Sequence, residues 1–174
     1  MRLQRYLKRD DDIASINDGA SHVMPRPVEY VFFSDVSAVE RVKDWQEHVK
    51  RFISREPLDQ QFDQYPEWLR DKWTYYRDRS CDGDRRSISL RVLEGGICHH
   101  HSTPAAIHWL CKYSHYERIA IIGIDGGNKY AKGKSRLYKN FAPDLDSWKM
   151  ISERVADICG RTYGKKIEFY SESD

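Results

Sequence analysis

Residues 102–125, STPAAIHWLCKYSHYERIAIIGID, decide the fold. Ser102 and Thr103 offer hydroxyls at a helix start, and Pro104 sits in the first turn, where its missing N–H costs nothing. Ala106, Ile107, Leu110 and Cys111 then recur at helical spacing, which predicts a helix over residues 103–113. RIAIIGI, residues 118–124, follows as a nearly continuous apolar run. Such a run predicts a strand buried on both faces, with helices on both sides of its sheet. Asp125, Gly126 and Gly127 end it.

Working outward, residues 12–17 (DIASIN) form a short apolar run closed by Asn17, Asp18 and Gly19, a strand ending in a turn. Residues 28–34 (VEYVFFS) are richer in β-branched and aromatic side chains and predict a stronger strand that stops at Asp35. Asp35 or Ser37 is placed to cap a following helix, in which Val39, Val42, Trp45, Val49, Phe52 and Ile53 take helical spacing. Residues 56–86 are polar and aromatic, broken by Pro57, Pro66 and Gly83, and read as a lid-like excursion with a short helix at 66–76. Residues 87–93 (SISLRVL) and 166–170 (KIEFY) add strands, and residues 146–159 predict an amphipathic helix with Trp148, Ile151, Val155 and Ile158 inward.

About five strands alternating with helices predict a Rossmann-like α/β domain of three layers, single over residues 1–174, with a mostly parallel sheet and right-handed crossovers. In such folds ligands bind outside the carboxyl ends of the strands, at the point where strand order reverses. His99, His100, His101, Ser102 and Thr103 on one side, and residues 123–128 on the other, are expected to converge there.

Composition narrows the function classes. The 174 residues carry 29 Lys and Arg against 27 Asp and Glu, a formal net charge of +2, so no global field favours nucleic acid or an anionic membrane. No apolar run reaches the roughly 20 residues of a membrane span, and the first residues lack the apolar core of a secretory signal, so a cytoplasmic location is expected. Cys81, Cys98, Cys111 and Cys159 form no CxxC pair, which predicts reduced thiols. The five Trp and eleven Tyr are expected as packing residues ahead of a base-stacking platform.

Three groups of residues can carry chemistry. The first is the histidine run with Ser102 and Thr103, where first-turn N–H groups and two hydroxyls suit a phosphate or carboxylate. The bland alternative is that one hydroxyl caps the helix. Neighbours in an extended segment point to opposite sides, so at most His99 and His101 share an ion, and no metal site is expected. His101 is better suited to hydrogen bonding phosphate or moving a proton. His108, inside the helix, reads as an ordinary packed or surface histidine.

The second group is Gly123, Asp125, Gly126, Gly127, Asn128, Lys129 and Tyr130. An Asp at a strand's carboxyl end, followed by glycines, faces a ligand or else closes a turn. Lys129, Lys132, Lys134 and Arg136 in the same loop suit phosphate neutralisation. The third group is Asn17 with Asp18, and Ser34 with Asp35, at the ends of two strands, where Asn suits a ribose or base.

The run from His101 through Ser102-Thr103-Pro104, the helix, the strand and Gly123-Ile124-Asp125 resembles the matching unit of bacterial lipooligosaccharide sialyltransferases. It is similar also to the motility-associated glycosyltransferase and hydroxymethylpterin pyrophosphokinase-like group. Residues 13–17 and 30–33 resemble that family's strand ending in Asn and the strand after it. The resemblance implies that Ser102 and Thr103 contact nucleotide phosphate and ribose, that Asn17 touches the nucleotide, and that Tyr130 assists the leaving phosphate. Two parts of the family pattern are unmatched. There is no Gly-Asn-Gly-Pro-Ser type loop, and all seven histidines lie at or before His115 instead of after the Gly-Ile-Asp unit.

The resulting expectation is a glycosyltransferase-like protein taking a nucleotide sugar as donor and a glycan or small molecule as acceptor, with Asp125 or His101 as base, Lys129 and Tyr130 at the leaving group, and Asn17, Ser102, Thr103 and Gly123 at the nucleotide. One alternative is a non-catalytic binding or regulatory domain of the same fold. Another is an Mg²⁺-dependent phosphotransferase acting on a small heterocycle, against which the lack of a GxxxxGK[ST] loop counts.

Overall fold

The computed structural model describes residues 7–23, 25–33, 36–56, 64–77, 97, 102–123 and 145–170. The chain divides into two compact units, residues 2–106 and 107–174.

The first unit is built on a parallel four-stranded sheet: β1 (Ala14–Ile16), β2 (Val28–Phe33), β3 (Val49–Arg55) and β4 (Trp73–Tyr76), in spatial order β1-β2-β3-β4. The register aligns Ser15, Val31, Phe52 and Trp73 in one row, and Ile16, Phe32, Ile53 and Thr74 in the next. Because side chains alternate along a strand, these rows lie on opposite faces. On the first face Val31, Phe33 and Phe52 share a core with Ala38 and Val39 of helix α1 (Val36–Glu40), with Val42, and with Tyr65 and Leu69. Trp73 closes that core edge: its indole N–H donates to Ser54 Oγ at 2.9 Å, and its ring lies 4.6 Å from that of Tyr65. Phe32 and Ile53 are buried on the opposite face, so the central strands bury both sides, as strands of parallel sheets do.

Two expectations are corrected here. The helical spacing over 39–53 spans a short helix, a 3₁₀ turn (Lys43–His48) and then β3. Lys50 and Arg51 cause the misreading. Both are exposed at the amino-terminal rim of the sheet, Lys50 in an ion pair with Glu29, so the buried Val49 and Phe52 fall three apart and mimic a helix. The lid-like stretch is likewise part of the core where it is described. The expected helix at 66–76 is a 3₁₀ turn (Glu67–Lys72) that buries Leu69 fully, followed by strand β4 pairing with β3.

The second unit holds a β-α-β arrangement. β5 (Arg118–Ile122) pairs in parallel with β6 (Lys166–Tyr170), and the connection carries α3 (Leu145–Tyr163). Helix α2 (Ser102–Tyr113) precedes β5, and the boundary between the units falls within it. α3 ends as a Schellman turn: Gly164 takes φ +65°, and the Lys165 N–H donates to the Gly160 carbonyl at 2.9 Å. Gly160 is fixed by crowding, since a Cβ there would lie 3.0 Å from the Lys165 carbonyl oxygen.

β5 corrects another expectation. Ile119 is buried but Arg118 and Ala120 are exposed, so one face is covered, not two. The buried face of α3 is Ser152, Val155, Ala156 and Cys159, with Ile151 and Ile158 half-buried beside it. The small residues form the buried stripe because α3 meets α2 there: the Cys111 and Cys159 thiols hydrogen bond, and Tyr163 lies against His108. The side chain of Trp148 lies outside the described residues, as do residues 87–93. The described strands thus form two parallel sheets of four and two strands, in place of one sheet of about five.

Candidate functional site

The carboxyl ends of β1 and β5 and the start of α2 hold the described candidate residues. α2 begins at Ser102, with Thr103 second and Pro104 buried third. Among residues 102–105, whose N–H groups have no intrahelical acceptor, Pro104 supplies none, leaving three donors beside two half-buried hydroxyls. Because Ser102 is already the first helical residue, the capping position falls to His101 instead of Ser102 or Thr103.

Gly123 ends β5 with φ +84°, a conformation that a Cβ disfavours, and its N–H donates to the Tyr170 carbonyl at 3.4 Å. Asn17 follows β1 with φ +52°, and it opens the 3₁₀ turn Asn17–His22. Asn is among the few residues that accept this backbone. Its Oδ1 is buried and has no hydrogen-bond partner, and the same holds for Ser15 Oγ two residues earlier. Ser15 was missed by the sequence reading. The available signal was one hydroxyl inside the apolar run Ile13-Ala14-Ser15-Ile16.

Asn17, Ser102 and Thr103 belong to the first unit and Gly123 to the second. His99, His100, His101, Asp125, Gly126, Gly127, Asn128, Lys129 and Tyr130 lie outside the described residues, as do Lys132, Lys134, Arg136, Ser34 and Asp35. The expected reversal of strand order is absent from the four-stranded sheet: β1-β2-β3-β4 proceeds in one direction, so right-handed connections share one side and open no crevice between them. At the carboxyl rim of β3 and β4, Glu56 pairs with Arg77 at 3.5 Å.

His108 is completely buried, with Nε2 at 3.2 Å from Tyr163 Oη. Burial, reinforced by the charge of Lys112, lowers its pKa to about 4, so it is neutral at pH 7. Beside it the hydrogen bond from Cys159 favours the Cys111 thiolate, and the bond to Cys111 together with burial holds Cys159 protonated. Both thiols are free. On the β5–β6 surface, hydrogen bonds from Lys166 and Arg118 bring Glu168 down to about 2. These groups are structural: His108 and the thiols lock α2 to α3, and Glu168 ties β5 to β6.

Among the described residues no three His, Cys, Asp or Glu side chains are placed to hold a metal ion, and no helix is long and apolar enough to cross a membrane. Neither family models, nor curated proteins, nor solved structures give a match to this chain.

Proposed function

We propose that the chain is a glycosyltransferase-like protein that binds a nucleotide-activated sugar at the carboxyl ends of its parallel strands and passes the sugar to an acceptor. The observation that carries this reading is the start of α2: three free N–H donors and two hydroxyls, from Ser102, Thr103 and Ala105, on a helix of 12 residues. That arrangement binds a diphosphate or monophosphate ester without net positive charge on the protein.

In this reading Asn17 addresses the nucleoside, and Lys129 and Tyr130 neutralise the departing phosphate. The acceptor hydroxyl attacks the anomeric carbon, the bond from that carbon to phosphate oxygen breaks, and the nucleotide leaves with the electron pair. The acceptor's proton passes to Asp125 or His101. His108 is not a rival base, because it is buried, paired with Tyr163 and of very low basicity.

Titration calorimetry with a panel of nucleotide sugars tests the proposal. Binding in the micromolar to millimolar range is expected, with Ser102→Ala and Thr103→Ala each weakening it by about tenfold, or about 1.4 kcal/mol. No heat from any nucleotide sugar at millimolar concentration overturns it. Binding without sugar transfer, unchanged by Asp125→Asn, identifies a binding domain instead of an enzyme.

A further inference from the structure

We infer that Ser15 and Asn17 together form a receptor for one alcohol group, and that in the protein's ligand this group is a ribose hydroxyl; the second half of this statement rests on the nucleotide reading above. The two residues lie two apart on β1 and its exit, hence on one face. Ser15 is 9% exposed, and neither its Oγ nor Asn17 Oδ1 has a hydrogen-bond partner. Buried polar atoms are nearly always paired, so two orphans side by side at the carboxyl end of a parallel strand mark a place where something else supplies the bonds.

The chemistry of the pair selects the partner. Asn17 Oδ1 only accepts, whereas the Ser15 hydroxyl has a proton to donate. A group that joins them must therefore accept from Ser15 and donate to Asn17. An alcohol does both. An amino group on a base cannot accept in this way, a carbonyl cannot donate, and an ionised phosphate has no proton to give. Alternate residues on a strand stand about 6 to 7 Å apart, a span that one bridging oxygen closes when both side chains lean toward it.

The surroundings also exclude charge. Ser15 lies in the row of Val31 and Phe52, with Ile13 and Ala20 buried nearby. An ionised group in so apolar a setting loses its hydration without compensation. The cover on this side is slight: the turn Asn17–His22 passes over β1, and even a Cβ added at Gly19 would lie 3.8 Å from Ser15 Cβ, ordinary contact distance. A hydroxyl entering at the strand end displaces this turn and no more of the core.

The test uses the full chain with the four ribonucleoside 5′-monophosphates, their 2′,3′-dideoxy forms and inorganic phosphate, read by calorimetry. The wild type is expected to bind at least one ribonucleotide more than about tenfold tighter than its dideoxy form, as sites built around a hydroxyl do. Ser15→Ala and Asn17→Gly, the latter keeping the positive φ available, reduce that ratio to below about twofold while affinity for the dideoxy form and for phosphate stays unchanged. Melting temperatures check folding: Ser15→Ala melts at or above the wild type, because it removes an atom that had no partner. Variants that keep the wild-type ratio overturn the inference. So does a crystal structure with nucleotide bound in which a water still bridges the two oxygens. If no nucleotide binds the wild type, the nucleotide reading fails on its own. The alcohol receptor is then read with D-ribose and common hexoses against their deoxy forms, and it survives only if Ser15→Ala erases a preference for the hydroxylated sugar.

Discussion

His108 is neutral in the folded chain down to about pH 4, whereas an unfolded histidine takes up a proton near pH 6.5. Between these values the unfolded state binds more protons, so stability is intact above pH 6.5 and falls as pH drops toward 4, by up to about 3 kcal/mol. His108→Leu, which fills the site without a titrating group, is expected to flatten that part of the stability profile. Urea titrations at pH 7.0 and 5.0 measure it, and an unchanged slope in the variant refutes the assignment. Gly123 and Gly164 make a second residue-scale prediction. Both have positive φ, and nothing lies within 4 Å of a Cβ placed on Gly164. Gly164→Ala is therefore expected to cost about 1 kcal/mol through backbone strain alone, with Gly164→Asn recovering part of it. Thermal melts of the pair separate strain from crowding.

The elements most faithfully legible in the sequence were those whose pattern owes nothing to a distant partner. α2 was announced by Pro104 in its first turn and an apolar face, and β2 and β6 by compact runs of β-branched and aromatic residues. β3 was hidden because its exposed Lys50 and Arg51 belong to the rim of a sheet that only assembly creates. β4 was hidden because Trp73, Thr74, Tyr75 and Tyr76 are too few and too polar for a period of two to register. The same reasoning gives an element-scale prediction. If the 3₁₀ turn carrying Leu69 were a lid, truncating that side chain would change little; as core it leaves a cavity. Leu69→Ala is expected to lose about 2 to 5 kcal/mol, measured by urea unfolding. A loss below about 0.5 kcal/mol would return residues 64–72 to the lid reading.

At the scale of the molecule, the sequence conveyed the parallel α/β class and the importance of the strand ends, but not the number of sheets. Strand order depends on which neighbour each strand chooses, and hydrophobic period is silent on that. Asn17 was legible as a strand-ending polar residue, while Ser15 became visible only when its oxygen proved to be enclosed without a partner. A ligand that binds only the native chain raises its melting temperature by an amount set by free concentration over Kd. A nucleotide bound 100 times above its Kd is thus expected to add about 2.7 kcal/mol of stability, and a thermal-shift series over ligand concentration gives Kd without an activity assay. A melting temperature indifferent to every nucleotide and nucleotide sugar would count against the proposed function.

The first four strands sit side by side in the order in which they are made. Each therefore finds its docking edge on the segment synthesised just before it, and none has to await a distant part of the polypeptide. During translation the sheet can lengthen one ribbon at a time behind the ribosome, and the aromatic residues of β2 and β3 spend little time uncovered on the way to their final places.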